Sequence, residues 1–170
     1  REKVLDILEQ TTGGRLIQTY NTIGGVQADI HPDFVRKVKE FIAYMRPVLR
    51  EYHEIFTGNV IAQERLKGTG VLTGRAAGWA CDVRKRHPYA VYGKVDFEEV
   101  LFTEGDCLAR YMVRMREIEQ SMHIIEQLID NIPEGEYQLK MKPVIRIPEG
   151  SYYAAVEGSR GEFGVFIESR

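Results

Sequence analysis

The stretch Gly105–Pro133, GDCLARYMVRMREIEQSMHIIEQLIDNIP, decides how the rest of the chain is read. Asp106 suits a helix N-cap, because its carboxylate accepts the unpaired N–H groups of a first turn. Leu108, Tyr111, Met115, Ile118, Met122, Ile125 and Ile129 then recur at spacings of three and four, which aligns them on one side of a helix. Pro133 follows the end. The reading is a long helix over about 106–131 with one apolar stripe.

Working outward, a second such pattern lies upstream. His31-Pro32-Asp33 is a helix start, with proline at the first helical position and an acid in the first turn. Val35, Val38, Ile42, Met45, Leu49, Tyr52 and Phe56 follow at helical spacing, so a helix is predicted over about 32–57 and Gly58 stops it. Pro47 should remove one backbone hydrogen bond and kink it. Two helices of similar length, each with one apolar stripe, are expected to pack antiparallel.

The remaining segments are shorter. Residues 1–10 read as a helix tail through Val4, Leu5, Ile7 and Leu8, broken at Gly13-Gly14. Arg15–Ile23 reads as an ordered loop or short extended piece before Gly24-Gly25. Asn59–Lys67 predicts a short helix, ended by Gly68 and Gly70. Residues 74–105 show no period, and a segment that long is expected to serve function or a partner. Tyr152–Glu157 and Phe163–Glu168, joined by Gly158-Ser159-Arg160-Gly161, predict a β hairpin. Val144–Ile147 predicts a further strand, giving a β part over about 144–168. The fold class is mainly α (α+β), with residues 1–170 as a single fragment of one domain.

Composition bounds the function. With 23 basic against 25 acidic residues the net charge is -2, which gives no pull toward nucleic acid. No apolar run approaches the roughly 18 residues of a membrane span, and no export signal is legible, so a membrane link is expected through partners. Cys81 and Cys107 are too few for an iron–sulfur cluster or a structural zinc site, and a reduced compartment suits them. His31, His53, His87 and His123 form no pair at helical spacing; His87, after Arg84-Lys85-Arg86, is the one singled out for function. Acids such as Asp33 and Glu117, beside Arg36 and Arg114, read as solvated helix faces. Gly68-Thr69-Gly70 lacks the third glycine of a dinucleotide loop, so no NADH site is expected. Arg75, Trp79, Arg84, Lys85, Arg86, Tyr89 and Tyr92 mix bases with aromatics, as RNA-binding loops do, but a folded loop with buried aromatics and arginines paired to partner carboxylates is the preferred reading. The run Glu157–Glu162 is a tip that can present Arg160 rigidly.

Four segments, in this order, extend the reading. They are Thr12-Gly13-Gly14-Arg15 through Gly24-Gly25-Val26 and Asp29–Asp33; Arg75-Ala76-Ala77-Gly78 with Asp82-Val83-Arg84-Lys85, Pro88-Tyr89 and Tyr92; Gly105-Asp106-Cys107 with Arg110-Tyr111 and Arg114-Met115; and Gly158-Ser159-Arg160-Gly161-Glu162-Phe163-Gly164-Val165. Together they resemble the hydrogenase-large-subunit-like subunit of respiratory complex I, NADH:quinone oxidoreductase, either its D subunit or the D part of a fused C/D polypeptide. Nickel–iron hydrogenase large subunits are similar too, but Glu162-Phe163-Gly164-Val165 looks more like the complex I version.

The resemblance implies a hydrogenase-large-subunit-like fold and a central-to-C-terminal fragment, inactive by itself. It implies a quinone cavity shared with an iron–sulfur subunit, whose neighbouring cluster delivers electrons to quinone. The family's quinone-binding His and Tyr would lie upstream of Arg1. No cofactor and no metal are expected on this chain, and Arg160 is its one candidate cavity residue. The implied partners are the iron–sulfur subunit, a C-like subunit and the membrane arm of the complex, with no nucleic acid. The implied location is the cytoplasmic face of the inner membrane, peripheral and held by those partners. The alternatives are a membrane-bound nickel–iron hydrogenase large subunit and a non-catalytic helical scaffold. Family members usually carry more residues where Thr73 runs straight into Gly74, so a loop is expected to be missing there.

Overall fold

The computed structural model describes residues 1–72, 82–142, 144–158 and 161–170. The chain divides into two compact units, Arg1–Val48 with Ile129–Ile147, and Leu49–Leu128 with Pro148–Arg170.

In the first unit, α1 (Glu2–Thr12) ends at Gly13, whose left-handed backbone lets its N–H reach Glu9 O. Ile23-Gly24 forms the two-residue turn between β1 (Asn21–Thr22) and β2 (Gly25–Val26), with Gly25 paired to Thr22. Gly25 also bridges to Gln138, and a Cβ there would lie 2.2 Å from Tyr137 O. Only glycine permits that approach. The first long helix, α2 (Phe34–Tyr52), begins two residues later than expected. Pro32 lies in the preceding turn, and Asp33 O accepts the first helical N–H, from Lys37. The helix continues through Pro47 to Tyr52.

The expected last helical turn is wider than an α turn. His53–Thr57 is a π turn, with Gly58 N–H donating to His53 O. In the second unit this turn meets a long helix in reversed order. His53 faces Glu119 at 3.9 Å and the Thr57 hydroxyl lies 2.9 Å from that of Tyr111, so the two segments run antiparallel. The short helix α3 (Val60–Leu66) is capped by Asn59, whose side chain accepts from Ile61 and Ala62 N–H. Beyond it come α4 (Val83–Arg86) and the long helix itself, α5 (Cys107–Leu128).

The stripe read on α5 captures only part of its buried surface. Met115 and Met122 are buried, but Ile118 and Ile125 are over a third exposed. Ala109, Val113 and Ile124 are buried on roughly the opposite side at 100° per residue. The helix is therefore covered on two sides, and small Ala109 and Val113 carry little periodic signal.

Two further expectations are corrected. The described part of 74–105 is not wholly irregular: it holds α4 and a 3-10 turn at Tyr92–Lys94, both too short to show a period. Val144–Ile147 contributes no strand among the described residues, because no neighbouring strand offers it backbone partners. The β part is the hairpin alone, β3 (Gly150–Gly158) against β4 (Gly161–Ser169), in register from Gly150↔Ser169 to Gly158↔Gly161. One face carries Tyr152, Val156, Phe163, Val165 and Ile167, all exposed.

Candidate functional site

Four residues of helix organise the chemistry of the second unit. The N-terminus of α4 exposes N–H groups that a helix of this length cannot pair internally. Three carboxylates take them. Asp82 Oδ1 accepts from Arg84 N–H at 2.9 Å, Glu99 Oε1 from Asp82 N–H at 2.8 Å, and Glu157 Oε2 from Val83 N–H at 3.0 Å. Negative charge at this end is also favoured by the helix dipole. Glu157 makes a second link, its N–H donating to the Tyr89 hydroxyl at 3.0 Å. The C-terminal end of β3 is thus tied to both ends of the Val83–Tyr89 segment.

Arg84 offsets the acids. Its Nε and Nη2 donate to the two Asp82 oxygens at 2.9 and 2.6 Å, with side-chain exposures of only 15% and 12%. Asp82 holds the guanidinium above its ordinary pKa, against the opposing effect of burial. The guanidinium carbon also lies 5.0 Å from the Phe97 ring centre and 5.7 Å from that of Tyr92. Burial raises the Tyr92 phenol above its usual range. A small cleft opens beside this cluster, lined by Arg84, Glu99, Glu157 and Gly161, and by Arg114 and Glu117 from α5. Its volume of about 30 Å³ suits water, not a ring. Arg114 and Glu117, paired at 2.8 Å one helical turn apart, stand at its edge with their side chains 39% and 36% exposed.

The entry to α5 explains the Gly68-Thr69-Gly70 run. Asp106 accepts from Ala109 N–H and from Gly68 N–H, each at 2.8 Å. These N–H groups hold its carboxyl below the usual carboxylate range, Ala109 most strongly. Arg110 donates to Gly70 O at 2.9 Å and Gly105 O at 2.7 Å. The glycine run is a structural lid on this helix end.

In the first unit, Arg15 of the Gly-Gly-Arg segment binds Glu2, Asp6 and Glu9 of α1 at 2.6, 2.8 and 2.5 Å. In the second unit, His53 Nδ1 lies 3.0 Å from Thr57 Oγ1. His87 is exposed beyond α4, and its N–H donates to Val83 O. Arg84 pairs within the chain, not with a partner carboxylate. Arg160, Ser159, Arg75, Trp79, Cys81 and the Thr73–Gly74 junction lie outside the described residues. Among the described residues, no group of three His, Cys, Asp or Glu side chains could hold a metal, and no helix is long and apolar enough to cross a membrane. Sequence reasoning missed Glu99, the Tyr89 hydroxyl and the role of Glu157. Their contacts span 17, 68 and 74 positions, so no local spacing encodes them.

Residues 1–145 match the family model of the respiratory-chain NADH dehydrogenase 49 Kd subunit. The chain is similar to the C/D subunit of NADH-quinone oxidoreductase from Phocaeicola vulgatus, with 77% identity over 183 residues, covering 100% of this chain and 35% of that protein. It is 42% identical to the D subunit of the Desulfotalea psychrophila enzyme, covering 99% of this chain and 49% of that one. A solved structure of the membrane-bound sulfane sulfur reductase, an archaeal respiratory membrane complex, matches with a TM-score of 0.88 and 37% identity, over 99% of this chain and 50% of its own. The chain thus spans a third to a half of the length of these relatives. The aligned 183 residues exceed its own 170, in keeping with extra residues in the relatives. With its hydrogenase-like helices, its hairpin and a family match over 145 of its 170 residues, this chain belongs to the family of the 49 Kd subunit of respiratory-chain NADH dehydrogenase.

Proposed function

We propose that this chain is part of the quinone-reducing module of an NADH–quinone oxidoreductase, where it walls the quinone cavity together with an iron–sulfur subunit. The observation that carries the reading is the 77% identity, over the whole chain, to the C/D subunit from Phocaeicola vulgatus. Quinone reduction needs two electrons and two protons. The partner's cluster would supply the electrons, since two cysteines fall short of the four that a cluster usually takes. The work of this chain is to shape and position. Arg160 is the residue proposed to face the cavity, where a guanidinium can donate to a quinone oxygen. The subunit sits on the cytoplasmic side of the membrane, held there by its partners.

The test uses the full-length protein in its assembly, purified from detergent-solubilised membranes. NADH should reduce quinone, and Arg160→Ala should raise KM for quinone about tenfold while NADH oxidation by ferricyanide is unchanged. A second reading follows from the sulfane sulfur reductase structure, which shares 37% identity with this chain. An assembly that reduces a sulfane sulfur compound and leaves quinone untouched would replace the first reading with that one.

A further inference from the structure

Pattern and structure disagree over residues 139–147. Leu139, Met141, Ile145 and Ile147 stand at odd positions, and Lys140, Lys142 and Arg146 at even ones. That alternation marks a strand with one apolar and one basic face. Yet the segment is irregular, with a bend at Val144. Only its start is paired: Val26 N–H donates to Tyr137 O, and Leu139 N–H to Gly24 O, alongside β2. These bonds turn the backbone of Tyr137 and Leu139 toward β2, so Gln138 and Lys140 begin an open outer edge. Between 140 and 146, the described residues make no hydrogen bond within the chain.

The side chains are idle as well. Every described residue over 131–149 is exposed, and the four apolar ones are 43% to 61% exposed. Lys140, Lys142 and Arg146 form no ion pair among the described residues. Residues 138–147 carry three positive charges and no acid, in a chain of net charge -2. A flat anionic membrane could meet the charges or the apolar side chains, but opposite faces of a strand cannot both turn to it. An added strand can serve both: it takes the open backbone edge, and its side chains stand beside this strand's on each face.

We propose that residues 139–147 are a docking strand, completed by an extended, acid-bearing segment of another subunit of the assembly. Its carboxylates stand beside Lys140, Lys142 and Arg146, and its apolar side chains beside Leu139 and Met141. The proposal needs an assembly but not quinone chemistry.

The test uses the full-length protein in its purified assembly, with a photo-crosslinking side chain at position 144. The expected product joins that position to an acidic segment of a different subunit. Cross-links only to lipid, to a second copy or to the same polypeptide, or no cross-link at all, overturn the proposal. Amide exchange in the same assembly gives a second reading. Lys140→Glu with Lys142→Glu should speed exchange of both amides about tenfold and abolish the cross-link, while Lys140→Arg with Lys142→Arg should keep both values within about twofold of the parent. Unchanged exchange and cross-linking in the glutamate variant overturn the proposal. Should that variant release the cross-linked subunit altogether, retention by the arginine variant carries the same conclusion. An assembly that cannot reduce quinone refutes the functional reading instead and leaves both measurements readable.

Discussion

Two arginines, one in each unit, gather carboxylates in opposite ways. Arg15 binds three acids of α1, but its side chain is 39% exposed and the acids are 49% to 73% exposed. Arg84 binds one acid, yet both partners are nearly out of water at 15% and 12%. Counting ion pairs would rank Arg15 first. Exposed pairs are screened by water and salt, whereas a desolvated pair that loses one partner strands the other. The difference teaches that the Asp82–Arg84 pair, with the Glu99 and Glu157 contacts around it, is the structural keystone, while the Arg15 fork mainly fixes the chain's exit from α1.

The largest expected effect is at the buried pair. Arg84→Met leaves Asp82 without its guanidinium and should lower the local opening free energy of residues 83–87 by about 2 kcal/mol, read by amide exchange in the full assembly. A change below about 0.5 kcal/mol would erase the contrast with Arg15.

An intermediate, pH-dependent effect belongs to Asp106. Its folded-state pKa lies below the ordinary 3.8, so it contributes stability at pH values above that. The contribution is lost as pH falls through the depressed folded value. Asp106→Asn should lower stability at neutral pH and flatten the loss of stability below about pH 4, as seen in acid unfolding followed by circular dichroism. An undiminished acid slope would show that other carboxylates carry it.

The smallest effect is at Arg15. Arg15→Ala should shift the melting midpoint of the assembly by less than Arg84→Met does. About 1 M salt, where charges are screened within roughly 3 Å, should remove most of that shift. A larger, salt-insensitive shift would reverse the order of the two clusters.

Much of the fold could be read from local signals. Asp106 caps where the sequence places it, because capping is decided within three residues. The hairpin follows its glycine-flanked turn. What escaped were the features that only packing decides. Val144–Ile147 is β-prone but has no strand beside it among the described residues. The Ala109–Val113 side of α5 is buried through small residues that no hydrophobic stripe highlights. The site was less legible still. Asp82 and Arg84 stand in a segment that resembles a family motif, but Glu99, Tyr89 and Glu157 meet the Asp82–Val83 end or its neighbours only because the fold brings distant segments together. The cavity candidate, Arg160, rests on that resemblance alone.

The most direct measurement is the metal content of the full-length protein, purified with its partners from detergent-solubilised membranes and assayed for quinone reduction in the same preparation. Iron without nickel, in an assembly that reduces quinone, is the predicted result. Stoichiometric nickel would contradict it and make the chain part of a hydrogenase.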